Sequence, residues 1–438
     1  MKNITVIGTG YVGLVSGAGL ADFGNQVVCA DIDESKIQSL KAGKIPIFEP
    51  GLKEVVDRNV KSNRLSFTTD VIKAVNGSEV IFIGVGTPEG ENGEADLSAV
   101  FSVAEMIGNN LNNYKIICTK STVPIGTGAK IISIINKYKN NDEEFDYVSN
   151  PEFLREGAAV QDFLRPNRIV LGVTSDKALQ IIQDVYRPLY INETPIVHTN
   201  VPTAEMIKYA SNAFLALKIS YINEIANLCE AVGADVHIVA KAMGNDGRIS
   251  PKFLHPGPGF GGSCFPKDTK ALVSLSEKLN EPINTVAAAI ATNDSQKKRM
   301  ADKLFNLMEN KIKGKTIAVL GLSFKQMTDD VRESASIEMI QSILNRDGIV
   351  KAYDPVAADN MEKQFPSLEY STSWQAAVKD ADAVVIMTEW HEFRGLDLSE
   401  LKSLMKSPLV LDTRNIFSIK SLTELGFIFD NVGRKVLK

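Results

Sequence analysis

From Ile4 to about Val197 the chain alternates short, β-branched apolar runs with longer stretches of helical period. Strands buried on both faces of a parallel sheet read as continuous apolar runs, and the helices covering the sheet account for the intervening stretches. The pattern predicts strands at Ile4–Ile7, Gln26–Ala30, Leu65–Phe67, Val80–Val85, Lys115–Cys118 and Arg168–Val173. At Val201 it changes to one long helix, through Glu205, Lys208, Asn212, Leu215, Ile222 and Leu228 to about Ala231. More helix is predicted on both sides of a Gly/Pro-rich stretch from His255 to Pro266. At Lys315 the first pattern returns, with strands predicted at Thr316–Leu320, Ile349–Tyr353, Ala383–Met387 and Leu409–Leu411. The predicted class is α/β, with two doubly wound parallel-sheet domains (1–200 and 313–438) joined by a long-helix connector (201–312).

Composition narrows the function. At 438 residues, 44% of them hydrophobic and 23% charged, the chain has material for more than one folded core. With 48 Lys and Arg against 53 Asp and Glu the net charge is −5, so no general attraction to nucleic acid is expected. No apolar run approaches the roughly 20 residues that span a bilayer, and the first residues enter a strand rather than a secretory leader. A cytoplasmic protein with no membrane partner is therefore expected. Cys29, Cys118, Cys229 and Cys264 form no C-x-x-C pair, which excludes a disulfide framework. Those four cysteines and four scattered histidines have no metal-ligand spacing, so no metal is expected.

Candidate chemistry begins at Gly8-Thr9-Gly10-Tyr11-Val12-Gly13, which follows a predicted strand and opens a helix. Amides at a helix start can hold a pyrophosphate where side chains would obstruct it, as in Rossmann-like dinucleotide sites. Asp31 ends the second strand, where a carboxylate accepts from ribose hydroxyls and repels a 2′-phosphate. NAD is favoured over NADP, with Lys36 as the nearby cation. Gly86-Thr87-Pro88 and Ser121-Thr122-Val123-Pro124 follow later strands of the same sheet, where ligands of open α/β sheets bind.

A second locus is Phe260-Gly261-Gly262-Ser263-Cys264-Phe265-Pro266-Lys267-Asp268. It sets Cys264 in a glycine-rich turn with Pro266 at the first helical position and Lys267 beside it, conditions expected to raise the thiolate fraction. Asp268, in the first turn, could accept a proton. Two i, i+4 pairs are read as sharing helical faces. Lys208 and Asn212 could together stabilise an oxyanion, and Glu152 and Glu156 could act as proton acceptors or activate water.

Taken together these segments resemble the UDP-glucose/GDP-mannose dehydrogenase family nearly end to end. The likeness also takes in Phe48-Glu49-Pro50-Gly51-Leu52, Asn150 to Gly157, Glu205 to Phe214, Gly247-Arg248-Ile249, Gly259 to Asp268, Gly321 to Arg332 and Asp412-Thr413-Arg414-Asn415. The resemblance implies oxidation of a sugar-nucleotide C6 alcohol to a carboxylate with two NAD⁺ and a cysteine-bound intermediate. It assigns Cys264 as nucleophile, Lys208, Asn212 and Asp268 around it, and Glu152 with Thr122 at the hydrolytic water. Around NAD it places Gly8, Gly10, Tyr11, Val12, Gly13, Asp31, Lys36, Thr87, Thr122, Glu156 and Arg332. For the substrate it implies Phe153, Leu154, Glu156, Lys208, Asn212, Arg248, Phe253, Gly257 and Gly261, with Lys325 and Arg414 facing the UDP moiety. Arg248 is implied to act across the interface of a homodimer or higher homo-oligomer. Phe48 to Leu52 inclines the substrate to UDP-glucose over GDP-mannose or UDP-N-acetylmannosamine. A two-electron β-hydroxyacid dehydrogenase has no use for Cys264 and leaves the last α/β domain unexplained. A non-enzymatic NAD sensor needs none of the converging groups.

Overall fold

The computed structural model describes residues 1–90, 93–140 and 142–434. The chain forms two compact units, Met1–Ser211 and Asn212–Lys438. The strands of the first are β1 (Asn3–Ile7), β2 (Gln26–Ala30), β3 (Leu65–Thr68), β4 (Val80–Ile83), β5 (Lys115–Thr119), β6 (Phe145–Ser149), β7 (Ile169–Val173) and β8 (Ile196–Thr199). They make an eight-stranded sheet in the order β3-β2-β1-β4-β5-β6-β7-β8. Both faces are covered: Ile4 and Val6 of β1 enter one apolar core and Ile7 the other. Thr5, which no apolar neighbour could satisfy, donates its hydroxyl to Ala74 O at 2.9 Å.

The sheet departs from the fully parallel one predicted, because β7 runs antiparallel to β6. Between them lie an irregular loop and one helix, Ala159–Leu164. Six helical residues advance only about 9 Å, too little to carry the chain back along a strand of about 16 Å. The pattern also passed over β6 and β8. In β6 Asp146 interrupts the apolar run, and β8 is a four-residue strand at the sheet edge with His198 in it.

The second unit carries β9 (Thr316–Leu320), β10 (Ile349–Tyr353), β11 (Glu369–Tyr370), β12 (Ala383–Ile386), β13 (Leu409–Asp412) and β14 (Ile428–Asn431). Their order is β11-β10-β9-β12-β13-β14, all parallel. This repeats the order of the first six strands of the other sheet, so each has a switch point beside its first strand, where ligands bind.

The long helix spans Val201–Val232, 32 residues. Within the second unit its Ile222, Ala226 and Cys229 share a core with Met300, Leu304, Ile317 and Val319. Helices Val236–Gly244, Phe265–Lys278 and Asn284–Leu307 follow it. No described helix is long and apolar enough to cross a membrane.

The glycine turn after β1 is built for backbone contact. Gly8 has φ +96°, and a Cβ on Gly13 would lie 1.9 Å from Gly8 O. Gly13→Ala is expected to destabilise the protein by about 1–3 kcal/mol through overpacking and to weaken NAD binding. Urea titration together with NAD fluorescence titration checks both.

Candidate active site

Gly10 precedes the helix Tyr11–Asp22 in extended backbone, and a Cβ there would meet nothing within 4 Å. That open side lets a ligand approach the first amides of the helix. Asp31, just past β2, accepts from Thr9 N (2.7 Å) and Thr9 Oγ1 (2.8 Å) through Oδ2, and from Asp33 N (3.0 Å) through Oδ1. Burial pushes its pKa up, but the hydrogen bonds from Asp33 and Thr9 prevail and hold it below the usual aspartate value. An ionised Oδ1 with one lone pair left suits a ribose hydroxyl and repels a phosphate, so the residues present fit NAD. Lys36 sits half-exposed on the next helix, 3.7 Å from Asp33. Thr87 Oγ1 donates to Thr122 O at 3.0 Å, joining the two strand-end loops singled out in the sequence.

Glu152 and Glu156 do not share a helical face. Residues 150–158 form an irregular loop, because Pro151 has no N–H and keeps Asn150 out of the helical region, and Gly157 has φ +79°. Glu152 is buried. Its carboxylate accepts from Leu154 N within the loop and from Lys208 Nζ at 2.8 Å. Glu156 is half-buried. Phe153 is stacked under Arg168, whose guanidinium carbon lies 3.5 Å from the ring centroid, with Lys208 Nζ at 5.3 Å. Leu154 packs on the first core.

Asn212 stands one turn after Lys208 on the long helix, as the spacing predicts. Within the second unit its amide is held by a carboxylate. Asn212 Nδ2 donates to Asp268 Oδ2 at 2.7 Å, and Lys267 Nζ lies 2.7 Å from Asp268 Oδ1. Asp268 is fully buried in the first turn of the helix Phe265–Lys278. Cys264 is the residue immediately before that helix, half-buried, with Sγ 3.6 Å from Ser263 Oγ. Pro266 is the second helical residue rather than the first, and the charge of Lys267 is matched by Asp268.

The glycines around the thiol mark close approaches. A Cβ on Gly261 would lie 2.3 Å from Glu333 O. Gly262 donates its N–H to Arg332 O at 2.8 Å, tying this loop to the segment of Arg332. The Arg332 guanidinium lies on Asp330. Gly257 N donates to Asn223 Oδ1 at 2.8 Å, and a Cβ on Gly257 would be 3.5 Å from Arg414 Nη1. Arg414 donates to Phe324 O (2.9 Å) and Met387 O (2.8 Å), and Lys325 Nζ lies 5.4 Å from the Phe324 ring. Gly257, Lys325 and Arg414 thus gather at the strand ends of the second sheet. Phe253, at φ +65°, packs its ring 6.0 Å from Phe265. Arg248 stands apart, its side chain 89% exposed and paired with Asp246.

Two residues went unread as functional in the sequence. Glu49 is buried and accepts from the Tyr11 hydroxyl, Gly157 N (2.6 Å) and Ala159 N (2.8 Å), joining the glycine turn to the Glu152 loop. Burial and the Glu49 carboxylate push the Tyr11 phenol far above its ordinary value. Lys120 follows β5 and is buried, with Nζ on Asn150 Oδ1 (3.1 Å) and the Tyr186 hydroxyl (3.3 Å). Its signal was a lysine directly after the strand that holds the apolar run Ile116–Cys118, at the end where ligands bind. Among the described residues no group of His, Cys, Asp and Glu could hold a metal.

The sequence model of the UDP-glucose/GDP-mannose dehydrogenase family NAD binding domain matches residues 2–190, that of the central domain 202–295, and that of the UDP binding domain 318–419. Among similar proteins is a UDP-glucose 6-dehydrogenase of Rhizobium meliloti, 51% identical over 98% of this chain and 99% of its own. UDP-glucose 6-dehydrogenase TuaD of Bacillus subtilis is 49% identical over 100% of this chain and 94% of its own. A UDP-glucose dehydrogenase structure from Pyrobaculum islandicum superposes with TM-score 0.92 at 35% identity, covering 99% of this chain and 98% of that one.

Burial drives the Lys120 pKa down to about 8 against some support from Glu152. The folded state therefore holds fewer protons than the unfolded one between pH 8 and the ordinary lysine value, and stability rises with pH there. The cost of burying the charge is full below pH 8, on the order of 3 kcal/mol. Lys120→Met is expected to gain on the wild type in urea melts at pH 7, and the gain should shrink by pH 9.5. A difference that does not change with pH refutes the assignment.

Proposed function

The chain belongs to the UDP-glucose/GDP-mannose dehydrogenase family, and on that premise we propose that it is an NAD-dependent UDP-glucose 6-dehydrogenase yielding UDP-glucuronate. One observation carries the cysteine chemistry. Cys264 heads a helix whose buried Asp268 is bonded to Asn212, one turn from Lys208. NAD, when bound, accepts the hydride at each of two oxidations. Lys208 and Asp268 assist loss of the C6 hydroxyl proton. Cys264 then adds to the aldehyde carbon, and Lys208 and Asn212 hold the resulting oxyanion. The thiohemiacetal so formed can give up a second hydride, which a free aldehyde cannot, and becomes a thioester. Glu152 takes the proton of the water that releases the acid, with Thr122 placing that water.

In this reading Gly8 to Gly13, Asp31, Lys36, Thr87, Glu156 and Arg332 hold NAD. Phe153, Leu154, Arg248, Phe253, Gly257 and Gly261 contact the substrate, and Lys325 and Arg414 pair with its diphosphate. The boundaries 1–200, 201–312 and 313–438 are the proposed domains. A homodimer or higher homo-oligomer is supported by Phe214, Tyr221 and Leu228, exposed at heptad spacing on one stripe of the long helix (61%, 45% and 59%). The setting is cytoplasmic, where UDP-sugars and NAD meet.

Spectrophotometry with a panel of UDP- and GDP-sugars is expected to give two NADH per UDP-glucose. One per substrate would favour a two-electron hydroxyacid dehydrogenase. Cys264→Ala should stop at or before the aldehyde, and acid formed by it at the wild-type rate would eliminate the covalent route. Tyr221→Asp with Leu228→Asp is expected to give monomers by light scattering, whereas an unchanged mass would move the interface elsewhere.

A further inference from the structure

Lys120 has no assigned role, yet it is one of the least comfortable residues in the first unit. Its ammonium is buried at 6% exposure and bonded to two neutral groups, Asn150 Oδ1 and the Tyr186 hydroxyl. It also lies 5.8 and 5.7 Å from the ring centroids of Phe163 and Tyr186. Its electrostatic support is Glu152, opposed by Lys208, so Glu152 has two cationic neighbours. A buried lysine without a directly bonded carboxylate weakens a fold relative to an apolar residue of similar shape. Neither the Asn150 nor the Tyr186 group depends on it for satisfaction. Tyr186 donates to Asn150 Oδ1 at 2.6 Å, and Asn150 Nδ2 donates to Val170 O at 2.9 Å.

What Lys120 does touch is the root of the loop that carries Glu152. Asn150 N donates to Thr119 O at 2.9 Å, and the Glu152 carboxylate follows two residues on. The loop borders a cleft lined by Lys120, Asn150, Glu152, Phe153, Arg168 and Tyr186. Leu154 anchors it to the core and Glu49 holds its far end at Gly157, while at the cleft it is held by polar ties to Lys120 at Asn150 and to Lys208 at Glu152.

We propose that Lys120 is a positioning residue for the hydrolytic step: through Asn150 it fixes the turn bearing Glu152, and its charge, with that of Lys208, keeps the carboxylate aimed as a base. This rests on the reading of Glu152 as the base that activates water on the Cys264 thioester. The oxidations before that step do not need Glu152, so loss of Lys120 should separate the two phases.

The test uses the full-length enzyme with UDP-glucose and NAD in stopped flow, with intact-mass detection of quenched protein. Two NADH per UDP-glucose and a transient adduct on Cys264 in the wild type are the control; their absence sinks the functional reading rather than this inference. With the control in place, Lys120→Met should form its first NADH within about threefold of the wild-type rate, while kcat falls roughly 10- to 100-fold. KM for UDP-glucose should change by less than about threefold, adduct should accumulate, and the melting temperature at pH 7 should be unchanged or higher. A wild-type kcat overturns the proposal. So does a parallel loss of burst and kcat with a lower melting temperature, the mark of a merely structural role. If Lys120→Met does not fold, Tyr186→Phe decides, because it removes one tie and keeps the packing. A selective fall in kcat of a few-fold supports the proposal, and an unchanged kcat overturns it.

Discussion

The ion pair between Lys208 and Glu152, 2.8 Å apart with 5% and 3% of their side chains exposed, is the constraint on which the proposed chemistry of the first unit depends. Neither charge could sit at that depth alone, since an unpaired buried ion costs several kcal/mol. The pair therefore fixes an irregular loop to a regular helix: wherever the long helix puts Lys208, the loop after β6 must bring Glu152. Phe153 and Arg168 stack beside the pair and shield it from water, which strengthens the attraction and keeps the carboxylate from drifting toward solvent. One helical turn on, Asn212 and Asp268 repeat the arrangement with a neutral donor. One helix thus supplies a nitrogen donor to a buried carboxylate in each unit.

The two sheets share a strand order but use the acid after their second strand in opposite ways. Asp31 remains half-exposed, with one oxygen not fully occupied. Its counterpart after β10, Asp354, is buried. Its Oδ2 accepts from Leu322 N, Ser323 N, Ser323 Oγ and Trp390 Nε1, and its Oδ1 accepts from Val356 N and Ala357 N. So many donors leave no lone pair for a ribose. The second sheet has converted the ribose-reading position into a staple for its own loops. The proposed ligand contacts there are instead cations, with Arg414 held in register by the carbonyls of Phe324 and Met387. That matches a partner whose strongest feature is a diphosphate rather than a second dinucleotide.

Much of this was legible in the sequence, and the exceptions have physical causes. Central strands such as Val80–Ile83 are buried on both faces and announce themselves as apolar runs, as does the start of the long helix after β8. Short edge strands are half-solvated and polar, so Ile196–Thr199 and Glu369–Tyr370 carry no such signal. The glycine turn and the cysteine loop were readable because their glycines answer to backbone geometry, a local property. The Glu152–Glu156 pair was misread as helical because its spacing is that of a helix, although Pro151 immediately before it pointed to a turn. The ties made by Lys120 and Glu49 could not be read because their partners, Tyr186 and Gly157, lie 66 and 108 residues away in the chain. Nothing in a linear pattern marks a lysine as buried until the fold closes over it.

Burial also decides which sulfur can act. Cys29 and Cys118 lie inside strands of the first sheet, and loss of hydration pushes the Cys29 thiol up to about 12 and Cys118 higher. Cys229 is raised as well, by burial and then by Asp235 and Glu230. At neutral pH all three stay protonated, and a protonated thiol is a poor nucleophile. Cys264 alone is neither in a strand nor enclosed, and it sits where the amides of a helix start are unpaired and the helix dipole favours negative charge. The fold thus withholds ionisation from the sulfurs it has buried and places the remaining one at a helix end, the position that the proposed covalent route uses.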